Sequence, residues 1–229
     1  MKSVTIIVPV KDEEIGLQYL LDDYRGSNLE DFYNVTFILV IDVRSSDSSQ
    51  KYASKLSDII IDQKDTTGKG AAVKQAVEYW KNAPTDFVIF LDADGSYSFS
   101  SVSRLLSKLS QGSEVVSGSR FLSSNRRPVG MSRLHNFGNK ILSKVSSIRN
   151  RRNITDLCTG LWGFSEDALM KLEIQSHGFD LEAEIAGLAR KKELDHHEVE
   201  VEWSQRKGGT SKLRSLTDGL IIFFRIIRT

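Results

Sequence analysis

The residues best suited to chemistry are two carboxylates, Asp92 and Asp94, separated by one alanine at the end of an apolar run, residues 87–91. Carboxylates this close repel unless a cation sits between them. Mg²⁺ or Mn²⁺ characteristically takes one or two carboxylates and completes its shell with water and phosphate oxygens, so the pair predicts a metal-assisted grip on a nucleotide diphosphate. Arg206 and Lys212 lie in the Gly-rich stretch RKGGTSK, and residues 120–152 hold nine Lys or Arg without one Asp or Glu. Arginine forks and lysine point charges are the usual holders of phosphate. Asp180 and Glu182, in GFDLEAE, have two readings: a general base beside an acceptor, or first-turn acids that stabilise a helix dipole.

These groups need a scaffold, and the hydrophobic pattern supplies one. Residues 4–10 (VTIIVPV) form a nearly unbroken apolar run, the mark of a strand buried on both faces of a parallel sheet. It ends at Pro9, where a strand terminus tolerates the lost donor. Ile15, Leu17, Leu20 and Leu21 are spaced as the buried stripe of a helix. Further strands are expected at residues 36–42, 59–62, 87–91, 115–117, 161–165 and 198–203, the last with one wet face. Helices are expected through Leu56 behind a serine-rich cap at residues 45–49, over 71–80 opened by Gly68-Lys69-Gly70, and over 102–109, 134–146 and 182–191. His196 and His197, beside acids ahead of a strand, are expected at the surface. Alternation at this spacing predicts an α/β three-layer sandwich with a mainly parallel central sheet.

In an open parallel sheet, ligands sit beyond the carboxyl ends of the strands. Those ends carry Asp12 and Glu13, Asp42, residues 65–69, and Asp92 with Asp94, an acidic rim facing basic loops. No GxxxxGK[ST] occurs and no GxGxxG follows the first strand, which removes ATPase and dehydrogenase readings.

At 229 residues, 40% apolar and 27% charged, the chain is expected to form a single domain, with residues 1–119 and 120–229 as its two halves. Its apolar runs fall short of the roughly 18 residues a membrane span needs, and no signal peptide pattern opens it. A cytoplasmic protein is therefore expected. The single cysteine, Cys158, excludes an internal disulfide and a cysteine-rich zinc site. It reads as a small buried side chain. The net charge of +1 conceals blocks of −5 (1–119), +9 (120–152), −8 (153–205) and +5 (206–229), so each basic segment is expected to meet a local anion. Arg149, Arg151 and Arg152 lack interleaved aromatic residues for stacking, so nucleic acid is not an expected partner. The last helix, residues 213–227, is apolar at 213, 216, 220, 223, 224 and 227 with arginines around it. Such a stripe serves equally to pack against the sheet or to lie on a membrane surface.

The order of motifs resembles the inverting glycosyltransferases of family 2, with the GT-A fold, and most closely their dolichyl- or polyprenyl-phosphate sugar synthases. The resemblance runs through IIVPVKDEE, VIDVRSSDSS, TGKGAAVKQAV, FLDADGSYSF, GSRF, TDLCTGLWGFSEDAL, GFDLEAEI and RKGGTSKL, nearly the whole chain. It implies a nucleotide-sugar site built from Pro9, Val10, Asp12, Glu13, Asp42 and Lys69, with Asp92 and Asp94 holding Mg²⁺ or Mn²⁺. It also implies a lipid-phosphate site built from Arg120, Arg133, Arg206 and Lys212. The chain departs from the family where two adjacent acids and a glycine usually follow the second strand: here stand Asp42, Val43 and Arg44. Ser96 stands where related mannosyl synthases can carry Gln, and DADG and GKG look more like glucosyl-type members.

Two acceptor chemistries fit these residues. A phosphate monoester is already anionic near neutral pH, with a second pKa of about 6, and needs cationic residues rather than a base. A hydroxyl needs a base, for which Asp180 or Glu182 is available. A non-catalytic nucleotide-binding homologue is the remaining alternative. A lipid acceptor would be reached from the cytoplasmic face of the membrane through the last helix, the basic loops or a membrane-anchored partner protein.

Overall fold

In the computed structural model, which describes every residue except Asp58, Asp65, Thr66, Asn125 and Ser215, the central strand is β1 (Lys2–Val10). It pairs in parallel with β2 (Tyr33–Asp42) on one side and β4 (Phe87–Leu91) on the other. β3 (Ile59–Gln63) extends the sheet beyond β2. Beyond β4 come β6 (Leu161–Ser165), β5 (Val115–Ser119) and β7 (His196–Glu200), giving the order β3-β2-β1-β4-β6-β5-β7. Only β6 runs against its neighbours, so the sheet is mainly parallel as expected.

The alternation of side chains along β1 divides two cores. Val4, Ile6 and Val8 face α1 (Glu14–Gly26), α2 (Ser49–Leu56) and α4 (Phe99–Ser110). Ile7, with Ile38, Val88 and Phe90, faces α3 (Lys69–Trp80), α5 (Arg133–Asn150), α6 (Glu166–Lys171), α7 (Leu181–Lys191) and α8 (Thr217–Arg228). Period-two burial on both sides of a strand requires a layer on each face. The result is the expected three-layer sandwich.

Four local expectations change. Ile15 is 46% exposed rather than part of the buried stripe, and Gly208 of the RKGGTSK segment lies against it. β7 begins at His196 and stops at Glu200, leaving Trp203 in an isolated bridge to Tyr97. His196 is buried, stacked on Trp162 and hydrogen-bonded through Nε2 to Ser117 Oγ at 2.9 Å. Burial, with Arg152 and His197 nearby, pushes its imidazole down to about 3, so it stays neutral. The pattern of adjacent histidines predicts opposite directions, and the sheet turns the first one inward. Finally, α8 packs by Ile222 and Ile226, while Leu216, Leu220, Phe223, Phe224 and Ile227 of the expected stripe point outward. The short α6 carries too few residues to announce itself by periodicity.

Candidate active site

The strand order reverses between β1 and β4, since β2 and β3 lie on one side of β1 and β4 on the other. This is the switch point at which loops leave in opposite directions and open a crevice. A cleft of about 490 Å³ opens there, lined by Pro9, Val10, Glu13, Asp42, Lys69, Asp92, Asp94, Arg120, Glu182, Arg206 and Lys212, all expected from the sequence. Lys11, Gln63, Tyr97, Gly160, Phe179 and Trp203 add to its walls.

Glycines set how closely these elements approach. A Cβ on Gly16 of α1 would stand 2.2 Å from Ala93 O, so the first turn of α1 rests directly on the Asp92–Asp94 backbone. A Cβ on Gly160 would stand 1.8 Å from Asp92 Oδ2. The segment after Trp203 folds back over this loop: Ser204 N donates to Ser96 O at 2.9 Å and Lys207 N to Asp94 O at 3.0 Å.

The charges of the cleft interlock. Lys69 Nζ lies 2.6 Å from both Asp92 Oδ1 and Glu182 Oε1. Burial pushes Asp92 up, Lys69 opposes that, and Asp94 adds to it; burial likewise raises Glu182 against the pull of Lys69. Glu13 Oε1 accepts from Arg206 Nη2 and from Lys212 Nζ at 2.8 Å, while its buried Oε2 has no partner. Burial holds the Glu13 carboxyl above its usual range despite both cations. Arg206 Nη2 also comes within 3.8 Å of Asp94 Oδ2. Arg120 donates through Nε and Nη2 to buried Asp156 at 2.6 and 2.7 Å, so its fork is fixed from behind by Asp156. Asn139 of α5 also donates to Asp156, at 2.8 Å. Cys158 lines the cleft half-buried, its thiol pushed up to about 12 by burial and the Asp156 and Glu182 carboxylates.

At the far wall, Arg44 grips Asp42 through Nε at 2.6 Å and Nη2 at 3.0 Å, and Lys11 Nζ adds a contact at 3.0 Å. Burial would raise Asp42, but Arg44 and Lys11 outweigh it and hold the carboxyl at about 2. Val43 stands where the second acid is expected, and Arg44, in the place of the glycine, keeps the remaining acid ionised.

Three candidates take other positions. Asp12, at a positive φ of 47°, accepts from Ser46 N at 2.7 Å and ties the end of β1 to the loop after β2. Asp180 accepts from Ser176 Oγ at 2.5 Å and from Arg225 Nε at 2.6 Å, which anchors α8 and turns the carboxylate away from the cleft. Arg133 is exposed at the start of α5 and does not line the cleft. Asp65, within the expected acidic rim, lies outside the described residues.

Asp92 and Asp94 fit a divalent cation. Asp94 Oδ2 has only the distant guanidinium of Arg206, and Asp92 Oδ2 faces the hollow left by Gly160. Among the described residues no third His, Cys, Asp or Glu completes a metal cluster. A metal here would therefore draw its other ligands from water and phosphate, the arrangement typical of Mg²⁺ with nucleotides.

The chain, with a switch-point cleft holding paired carboxylates and five cationic side chains on a mainly parallel sheet, has the GT-A fold of solved glycosyltransferases. The comparisons carry this to a family. The model described as "Glycosyl transferase family 2" matches residues 5–173, and the chain belongs to that family. It is 31% identical over 227 residues to glycosyltransferase AglJ of Haloferax volcanii, covering 99% of this chain and 71% of that protein. It is 24% identical over 237 residues to a dolichyl-phosphate beta-glucosyltransferase of Saccharomyces cerevisiae, covering 92% and 69%. Among solved structures, glucosyl-3-phosphoglycerate synthase of Mycobacterium tuberculosis in complex with Mn²⁺, uridine-diphosphate and phosphoglyceric acid superposes with a TM-score of 0.68 at 15% identity. That match covers 99% of this chain and 76% of the other.

Proposed function

We propose that this chain transfers a hexose, with inversion, from UDP-glucose or GDP-mannose to a polyprenyl or dolichyl phosphate. The observation that carries the reading is the gathering of Arg206, Lys212 and Arg120 in the cleft that holds Asp94, where the candidate base Glu182 is already paired with Lys69. Such a site suits a nucleophile that arrives anionic. Residues 1–119 supply Pro9, Val10, Glu13, Asp42 and Lys69 for the donor. Residues 120–229 supply the cations for the acceptor phosphate. A Mg²⁺ or Mn²⁺ ion held by Asp92 and Asp94 supplies charge compensation for the diphosphate. Arg206 orients the acceptor phosphate, and Trp203 with Phe179 excludes water from the anomeric carbon.

The donor half also finds support in the relatives: a dolichyl-phosphate beta-glucosyltransferase among sequence relatives, and a fold neighbour solved with Mn²⁺ and uridine-diphosphate. A second reading, transfer to a small phosphorylated hydroxyl acceptor, is favoured by Glu182, whose carboxyl is raised toward the range of a general base.

No described helix is long and apolar enough to cross a membrane. The route to a lipid acceptor is a surface. α8 turns Leu220, Ile221, Phe223, Phe224 and Ile227 outward, and its neighbour α5 turns out Leu134, Phe137, Ile141 and Ile148 while burying Leu142 together with the polar Asn139, Ser143, Ser146 and Asn150. Two helices with their larger apolar side chains on the wet face, flanked by Arg133, Lys140, Lys144 and Arg228, suit an anionic bilayer interface.

The test is incubation of the chain and Mn²⁺ with labelled UDP-glucose or GDP-mannose and either a short polyprenyl phosphate or 3-phosphoglycerate. Chelator-sensitive label in the organic phase supports the lipid acceptor. Label confined to the aqueous phosphoglycerate product transfers the reading to the second acceptor and to Glu182.

A further inference from the structure

We propose a second ligand site, for a small hydroxyl-bearing phosphate monoester such as a sugar phosphate, at the opposite end of the sheet from the donor cleft. A cavity of about 350 Å³ lies there between the C-terminal ends of α5 and α7 and the start of β7. Arg151, Arg152, Arg190 and Asn150 line it, with Glu193 as the one acid of the lining.

The basic residues of RNRR have no part in the cleft chemistry. A bland use exists for them, because cations near helix C-termini bond the last carbonyls and favour the dipole. Arg152 has a structural use of another kind: its fork donates to the carbonyls of His196 at the start of β7 and, at 3.3 Å, of Leu194 in the loop before it. Arg190 has no such use. Its Nε is buried without any acceptor, and no carboxylate pairs with Arg190 or with Arg151 among the described residues. Across the same cavity, Asn150 is 6% exposed and donates through Nδ2 to Ser146 Oγ at 2.9 Å, but its Oδ1 is buried and unpaired.

Native interiors rarely leave a donor and an acceptor unsatisfied in one cavity, and such groups ask for a ligand that answers both. The donor side consists of guanidinium forks, whose geometry matches the oxygens of a phosphate. The acceptor side asks for a hydroxyl. A phosphate monoester of a polyol carries both at a separation a single small cavity can span, whereas inorganic phosphate satisfies only the cationic side. His196, neutral and bonded to Ser117, adds no charge to the wall.

The experiment uses the full chain with Arg206→Ala and Lys212→Ala in the presence of chelator, so that phosphate binding in the donor cleft is weakened, and the Arg190 resonance reports the second site separately. Glucose 6-phosphate, inorganic phosphate and glucose are titrated while the Arg190 Nε–Hε resonance and the Tm are followed. The expected result is a saturable shift of that resonance and a rise in Tm with glucose 6-phosphate. Inorganic phosphate should bind more weakly, and glucose should give no response. Arg190→Leu, which removes an unpartnered donor and should fold, should weaken glucose 6-phosphate binding about tenfold or more. Arg190→Lys, keeping the charge without the fork, should also weaken it and serves if the leucine variant does not fold. Asn150→Leu should erase the preference over inorganic phosphate. An unmoved Arg190 resonance at about 10 mM ligand, or equal affinity in the Arg190 variants, overturns the site. Equal affinity of the parent for both phosphates overturns the hydroxyl contact assigned to Asn150.

Discussion

Arg206 Nη2 stands 3.8 Å from Asp94 Oδ2, which places the cation expected to hold the acceptor phosphate against a carboxylate expected to hold the metal. Donor and acceptor chemistry therefore meet at Asp94. Asp94→Ala should lower transfer at least about 100-fold and remove Mn²⁺-dependent nucleotide binding, because it deletes a ligand of the metal that would offset the charge of the leaving diphosphate. Circular dichroism should stay unchanged, since the Asp94 side chain is 20% exposed at the rim of the cleft and its backbone carbonyl still accepts from Lys207. Undiminished turnover in the folded variant would remove the metal role from this residue.

Gly160 offers a test that leaves every charged group in place. Its missing Cβ is the space occupied by Asp92 Oδ2, 1.8 Å from where that carbon would be. Gly160→Ala must push the Asp92 carboxylate off its position, and a displacement near 1 Å at such a site costs on the order of 100-fold in rate. Mn²⁺ affinity, read by isothermal titration with UDP present, should fall in parallel. Full activity in Gly160→Ala would show that the position of Asp92 has no bearing on transfer.

Much of this geometry is legible in the sequence, and the failures have physical causes. Asp92-x-Asp94 after an apolar strand places itself, because a parallel strand delivers its last residues to the ligand edge. Gly160 could have been found as the glycine ending TDLCTG just ahead of a strand, a position where close backbone approach is common. Asp180 could not be separated from Glu182 by pattern, since both sit at the start of α7. Arg225, distant in the chain, decides the matter by taking Asp180. The reversed face of α8 follows from the same contact: Arg225 ties one side of the helix to α7, which fixes Ile222 and Ile226 inward.

Asp180→Ala accordingly tests stability rather than catalysis. It strands Arg225 Nε and Ser176 Oγ in a mostly buried position, where losing one partner of an ion pair costs about 3 kcal/mol. The Tm should fall by several degrees, with turnover per folded molecule retained below it. A large loss of turnover at unchanged Tm would instead restore Asp180 as a base.

Asp42 carries a pH signature. Its carboxyl is held at about 2 from an ordinary 3.8, burial being outweighed by Arg44 and Lys11. A depressed carboxyl binds fewer protons in the folded than in the unfolded state, so its stabilisation is complete above about pH 4 and is lost as pH falls toward 2. The difference in unfolding free energy between the parent and Asp42→Asn should therefore shrink by about 2 kcal/mol across that window, in urea titrations at successive pH values. A difference that stays constant with pH would mean that Asp42 is not held by its two cations.

The outward faces of α8 and α5 separate lipid access from chemistry. Phe223 is 37% and Phe224 54% exposed, so Phe223→Ser with Phe224→Ser removes little buried area and should leave the Tm within a few degrees. Each ring lost from an interface forfeits apolar contact worth about 2 kcal/mol, enough to lower vesicle partitioning at least tenfold. Co-sedimentation with anionic vesicles should drop accordingly, and transfer to vesicle-embedded polyprenyl phosphate should drop with it. Transfer to a short, water-soluble prenyl phosphate should persist, because the cleft residues are untouched. Equal loss on both acceptors would place these phenylalanines in the path of the prenyl chain itself, and unchanged co-sedimentation of the folded variant would take the bilayer away from α8.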